Sequence, residues 1–244
     1  MKEKLTNARG LSLIEVTIML LVLMLLTGVL APSIWDFIKD AQWVKVKEDC
    51  EAIGLSVARL TRDVGPCLKF DGTGRCTKVN RADILYSDGP DVTPADVSGD
   101  ATESFTSSNI ASSLNWYNDN DRGDSMEHQF VTNYPEYPTP ADLGTYTAVG
   151  PQWGLGWRGA YLSPPIGPDP WGHKYLVNSV FLSVAIDASC GGCEGDRNGG
   201  WSRDTFCISA GPNGSYQTPF GGNWRHGVTR KGDDFIYVIS GDTR

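Results

Sequence analysis

The chain has 244 residues, 40% of them apolar, and a formal net charge of −8, the profile of an acidic protein that folds. Such a balance excludes a nonspecific nucleic-acid binder, which needs clustered Lys and Arg, so no nucleic-acid partner is expected; it suits hard cations such as calcium. The apolar residues are unevenly spread: Val16 to Ala31 carries no charge, and roughly 210 polar, Gly-rich residues follow it, enough for one domain with a core of its own.

Residues 1–10 hold Lys2, Glu3, Lys4 and Arg9, a net +2, so the chain after Gly10 carries −10. Three readings compete for this end. One is a secretory signal peptide cut after Ala31. Another is a plain membrane anchor, since the 21 residues from Leu11 to Ala31 make a helix of about 31 Å, close to one bilayer core. The third is a leader removed before the apolar run, after Gly10. Glu15 decides among them. A carboxylate at bilayer depth costs about 2.5 kcal/mol or more and marks a function, and the first two readings have no use for it. Cutting after Gly10 leaves a free amine on Leu11, one helical turn from Glu15. The amine of a neighbouring subunit can then neutralise the carboxylate in an apolar filament core.

The run RG-LSLIEVTIMLLVLMLLTGVLAP resembles the N-terminus of type IV pilins and type II secretion pseudopilins. Gly10 stands before the cut, an apolar residue after it (Leu11, where the family has Phe), Glu15 at the fifth position and Pro32 at the twenty-second. The resemblance implies cleavage by a prepilin peptidase between Gly10 and Leu11 and N-methylation of Leu11. It also implies a role for Glu15 in assembly.

The helical pattern continues past the apolar run. Ile34, Phe37, Ile38, Ala41, Val44, Ile53, Val57 and Leu60 recur at three- and four-residue steps among charged residues, which predicts an amphipathic helix lying on an apolar surface. Pro32 is expected to kink or locally open it. The end is expected near Asp63-Val64-Gly65-Pro66, giving a helix from about Leu11 to Arg62, roughly 78 Å long. Heptads are not sustained, which argues against a coiled-coil stalk. The segment KVKEDCEAIGLSVARLTRDVG is similar to the stretch of major pseudopilins that ends at Asp-Val-Gly.

From Cys67 to Gln152 the chain is rich in Asp, Ser, Thr, Asn and Pro, with turn-forming runs such as Tyr86-Ser-Asp-Gly-Pro. This insertion is longer than the corresponding region of the major pseudopilins. It reads as folded decoration of the head, with Trp116, Tyr117, Phe130 and Tyr134 as anchors and a short helix near Leu114. Resemblance returns at Gly154-Leu-Gly-Trp-Arg-Gly-Ala-Tyr-Leu and Asp169-Pro-Trp-Gly-His-Lys-Tyr, which are similar to a "GWRGPYL … DPWGxPY" run of major pseudopilins. An aromatic-rich extended segment, a Pro-Trp-Gly turn and a strand from Tyr175 to Ile186 are expected there. Further strands are expected at Thr205–Ser209 and Phe235–Ile239. A long helix followed by three antiparallel strands is an α+β head.

Ser209-Ala-Gly-Pro-Asn-Gly, with Gly232-Asp-Asp-Phe opening the last strand, resembles the calcium loop of major pseudopilins. The resemblance implies side-chain ligation by Asn213, Asp233 and Asp234, with backbone carbonyls such as that of Ser209 completing a shell of about 6–8 oxygens. Asn213 stands where the family has Asp, one charge fewer. The competing reading is an ordinary Gly-rich hairpin with an Asp-Asp turn.

Six cysteines, Cys50, Cys67, Cys76, Cys190, Cys193 and Cys207, suggest disulfides in an exported head. A short Cys67–Cys76 loop is the first candidate; Cys190–Cys193, or a link to Cys207, is the second. The Cys190/Cys193 pair lacks the further ligands a zinc site needs, and Glu194 stands where haem attachment needs His. His128, His173 and His226 are far apart, and no nucleophile elbow, HExxH or P-loop is present, so no enzyme is expected. Trp153, Trp157 and Trp171 read as core and turn packing.

The domain organisation expected is a prepilin leader (1–10), a membrane or filament-core helix (11–32), an amphipathic spine (33–65), a loop-rich insertion (66–152) and a C-terminal sheet region (153–244). The basic leader places the head outside the cytoplasm. The resemblance implies a periplasmic pseudopilus subunit for type II secretion. A type IV pilus subunit for adhesion, motility or DNA uptake is the alternative, and a membrane-tethered binding domain that never polymerises is a third. The partners implied are other copies of the chain, prepilin peptidase, the inner-membrane assembly platform, minor pseudopilins and membrane lipid.

Overall fold

The computed structural model describes residues 12–64, 84–98, 116–117, 123–133, 157–163, 165–179, 182, 204–220 and 228–240. One helix, α1 (Leu13–Val64, 52 residues), is followed by a five-stranded mixed sheet: β1 (Ile84–Tyr86), β2 (Gly123–Ser125), β3 (Leu176–Val177), β4 (Thr205–Ser209) and β5 (Phe235–Ser240). The strand order is β2-β1-β3-β4-β5, with β1/β2 parallel and the other pairs antiparallel. The fold is α+β, with the helix packed on the sheet. The chain divides into two compact units, Met1–Val44 and Lys45–Arg244.

α1 begins with the Glu15 side chain capping its first turn. The Ser12 N–H donates to Glu15 Oε2 at 2.9 Å, and the Val16 N–H bonds the Ser12 carbonyl; Ser at the cap with Glu three residues on is the pattern that satisfies the free N–H groups of a first turn. The helix runs through Pro32 and stops at Val64, next to the Gly-Pro pair that prevents another turn. Having no N–H, Pro32 leaves the Gly28 carbonyl without its usual donor.

The face of α1 that meets the sheet starts later than the periodicity suggests. Val46, Cys50, Ile53, Val57 and Leu60 are fully buried, whereas Ile34, Phe37, Ile38 and Val44 are exposed. Ile34, Trp35, Phe37, Ile38 and Val44 are therefore exposed like the first half of the helix. Each fully buried aliphatic side chain contributes about 1.5–3 kcal/mol, so Ile53, Val57 and Leu60 supply much of the docking energy. Gly54 permits close approach: a Cβ there would lie 2.6 Å from Tyr237 Cε1 of β5. Polar contacts fix the helix along its length. The Tyr175 hydroxyl donates to Asp49 (2.9 Å), the Tyr161 hydroxyl to Asp63 (3.2 Å) and the Ser56 hydroxyl to the Tyr161 carbonyl (3.1 Å). The Trp-Arg-Gly-Ala-Tyr-Leu run from Trp157 thus serves as a strap over α1, with Leu162 buried at its end.

Alternation along the strands gives the sheet two apolar faces. Leu85, Val177, Cys207 and Tyr237 face α1, while Ile84, Leu176, Phe206 and Ile208 face a second core with Val97, Trp116, Tyr216 and Phe220. All five residues of β4 are buried because both its faces are covered. The second core is where the insertion is used. Trp116 packs edge-on to Phe206 and Phe220, and its indole N–H donates to the Thr218 carbonyl at 2.7 Å. Val97 bridges to Tyr216. The insertion also provides β1 and β2, so its described residues include two strands of the sheet rather than loops alone. Phe130 is fully buried too, and Tyr134 lies outside the described residues.

Among the described residues, the strand expected over Tyr175–Ile186 is paired at Leu176 and Val177 alone. At Asn178 the side chain takes over from the ladder. Its Oδ1 accepts the Phe206 N–H (2.8 Å) and its Nδ2 donates to the carbonyls of Asp204 and Phe220. Of the rest of that expected strand only Ser179 and Leu182 are described.

Candidate functional site

Two features stand out, one in each compact unit. The first is the surface of α1 before the head. Every large apolar side chain from Leu13 to Leu30 is exposed, on all sides of the helix. A helix apolar all round is stable only inside a membrane or a larger apolar assembly, and this one is long and apolar enough to cross a membrane. The polar side chains on it are turned inward to its own backbone: the Thr17 hydroxyl donates to the Ile14 carbonyl (2.9 Å) and that of Thr27 to the Leu23 carbonyl (2.7 Å). Glu15 is the one charged residue between Leu13 and Trp35. It stands at the start of this surface, and the bond from Ser12 N–H engages one of its two oxygens. Gly10 and Leu11 lie outside the described residues.

The second feature is the loop joining β4 to β5. Gly211 and Gly214 both have positive φ (68° and 69°), which glycine adopts without strain. Gly211 also lies against the Asp233 carbonyl, where a side chain has no room. This tight turn brings Asn213 to Asp233, and the Asn213 N–H donates to Asp233 Oδ2 at 3.0 Å. Asp234 is fully buried, and its Oδ2 accepts the N–H groups of Gln217 (2.8 Å) and Thr218 (2.6 Å). The other oxygen of each carboxylate, Asp233 Oδ1 and Asp234 Oδ1, is shut away from solvent with no hydrogen-bond partner. Burial pushes the Asp234 carboxyl up to about 6, against the pull of the Thr218 and Gln217 hydrogen bonds. A buried carboxylate with an unmatched oxygen, as at Asp234, is stabilised by either a proton or a cation.

Of the predicted ligands, Asp233, Asp234 and Asn213 come together on this loop. The Asn213 carboxamide is already engaged: its Oδ1 accepts the Ser215 N–H (2.7 Å) and its Nδ2 donates to Gln217 Oε1 (3.3 Å). The Ser209 side chain faces elsewhere, donating to Asp169 Oδ2 at 2.7 Å. Among the described residues no three His, Cys, Asp or Glu side chains converge on one point. A cation here would therefore draw its remaining oxygens from amides, hydroxyls and main-chain carbonyls, the ligand types calcium accepts. Residues the sequence did not single out complete the frame. Gln217 fills the space beside Gly232, and Thr218 is gripped from behind by Trp116 of the insertion. The Asp-Pro-Trp-Gly turn lies next to it: Asp169 Oδ1 accepts the N–H groups of Trp171 and His173, Gly172 has φ 94°, and Gly214 packs on the His173 ring.

Of the disulfide candidates, Cys67, Cys76, Cys190 and Cys193 lie outside the described residues. Cys207 is buried in β4 beside Cys50 of α1. Trp157 and Trp171 pack partly buried against the helix-side core, and Trp153 is outside the described residues. Comparisons with protein-family models, with curated proteins and with solved structures find no match.

Proposed function

We propose that the chain is a membrane-anchored filament subunit, the major pseudopilin of a type II secretion system. The observation that carries this reading is the helix surface from Leu13 to Trp35, apolar and exposed, with a single carboxylate, Glu15, at its start. In a monomer that surface belongs in the inner membrane; in a filament it packs against the same surface of other copies. A prepilin peptidase cuts between Gly10 and Leu11, the new amine is methylated, and an assembly platform adds the subunit to a filament with minor pseudopilins. The amine of one subunit then meets the Glu15 of another, matching charge where water is excluded. The head lies in the periplasm, and the role is structural rather than enzymatic.

The loop of Asn213, Asp233 and Asp234 is proposed to hold calcium, which would match the two orphaned carboxylate oxygens and keep β4 and β5 joined at that end of the head. The secretion reading is supported by the resemblance of the C-terminal segments. It is tested by deleting the gene: exported proteins should accumulate in the periplasm while surface pili remain. Loss of surface filaments with normal secretion would favour a pilus subunit, and loss of neither a tethered binding domain.

A further inference from the structure

We propose that Cys50 and Cys207 are joined by a disulfide that ties α1 to the centre of the sheet. The two residues are 157 positions apart in sequence, yet their Sγ atoms lie 2.8 Å from each other, well inside an ordinary contact between sulfurs. Both are fully buried in the core between helix and sheet. Each sits in the interior of a regular element, α1 and β4. Cys207 is fixed by pairing with Val177 on one side and Tyr237 on the other, while Asp49, next to Cys50, is held by the Tyr175 hydroxyl. The placement is therefore set by packing on both elements. Local spacing would instead have paired Cys207 with Cys190 or Cys193.

The bond requires an oxidising compartment, so the inference rests on the head lying outside the cytoplasm. Its formation balances with a thiol–disulfide oxidant of the exporting compartment. One cysteine thiolate attacks the oxidant's disulfide, and one oxidant sulfur leaves as a thiol. The other cysteine then attacks the mixed disulfide and releases the second. Two protein thiols become a disulfide, the oxidant's disulfide becomes two thiols, and the two protons pass to it. Burial, with Cys207 beside it, pushes the Cys50 thiol up, which slows exchange at that sulfur once the head has closed. Exchange thus belongs chiefly to folding. Its use follows from where it lies. Force on α1, which a filament subunit experiences when it is drawn from the membrane, reaches β4 through a covalent link as well as through packing.

The test is thiol mapping of full-length protein extracted from membranes. Free thiols are alkylated in denaturant without reductant, and the digest is read by mass spectrometry. The expected result is a Cys50–Cys207 linked peptide that disappears on reduction. Alkylated Cys50 and Cys207, or Cys207 linked to Cys190 or Cys193, overturns the proposal. A reporter fused after Arg244 fixes the compartment independently: free thiols in an exported head sink the disulfide and leave the filament reading standing, whereas a cytoplasmic head sinks both. The Cys50→Ala/Cys207→Ala double variant should melt about 10 °C lower, and an unchanged melting temperature would count against a stabilising bond.

Discussion

Replacing Glu15 by Gln separates two jobs that this side chain can do. In the isolated chain its carboxylate accepts the Ser12 N–H, 2.9 Å away, and so caps the first turn of α1. Gln fills that place as well as Glu, so Glu15→Gln keeps a contribution of about 1 kcal/mol that Glu15→Leu loses. Neither variant keeps the charge. In a filament each would leave the Leu11 amine of a neighbour unmatched among apolar helices, at a cost of about 3–5 kcal/mol per subunit, or about a hundredfold or more in subunit addition. The assay is crosslinking between subunits in membranes, with wild type, Glu15→Gln and Glu15→Leu at equal abundance. Both variants should insert and fold their heads, and both should lose the ladder of crosslinked species. A wild-type ladder from Glu15→Gln, with loss only in Glu15→Leu, would mean that Glu15 is a helix cap and that charge matching plays no part. Equal ladders from all three would remove Glu15 from assembly altogether.

The mature protein should begin at Leu11 by N-terminal sequencing, and a bulky residue at Gly10 should leave uncut precursor; a start after Ala31 would indicate a secretory signal instead. Calcium at a hundred times its dissociation constant should stabilise the head by about 2.7 kcal/mol, read as a rise in melting temperature that Asp234→Ala abolishes; no shift at millimolar calcium refutes the site. Without metal, the folded head holds the Asp234 proton more tightly than the unfolded chain does. This group therefore favours folding at acid pH, and its contribution is lost as pH rises from 3.8 through about 6. Asp234→Asn should flatten that part of the pH–stability curve. Gly54→Val should cost about 1–3 kcal/mol by forcing α1 away from Tyr237, seen as a lower urea midpoint. Trp116→Ala should cost about 3–5 kcal/mol and weaken the calcium response by freeing Thr218, whereas a full response would mean that the insertion does not support the loop.

What the sequence reveals follows the range of the interactions involved. The end of α1 at Val64 and the strands over Thr205–Ser209 and Phe235–Ser240 are legible because local rules write them: a Gly-Pro stop, and runs of β-branched and aromatic residues. The helix face was readable only in part. Spacing alone does not distinguish Ile53, Val57 and Leu60, which meet the sheet, from Ile34, Phe37 and Ile38, which stay exposed, because both groups are apolar at the same period. β1 and β2 escape notice because each is three residues long and set among turn-forming residues; their partners, not their own propensity, make them strands. The Asp-Asp pair is visible as a motif. Its burial is not, since that comes from Gln217, Thr218 and Trp116 arriving from elsewhere in the chain. The approach of Cys50 to Cys207 depends in the same way on α1 docking across the sheet.

The central claim is that copies of this chain polymerise through α1, and the most direct measurement is electron microscopy of cells overproducing it together with an assembly platform, with gold-labelled antibody against the head. The account predicts labelled helical filaments that vanish when the platform is deleted. Labelled protein that stays dispersed in the inner membrane, while known subunits of the same platform still form filaments, would contradict it.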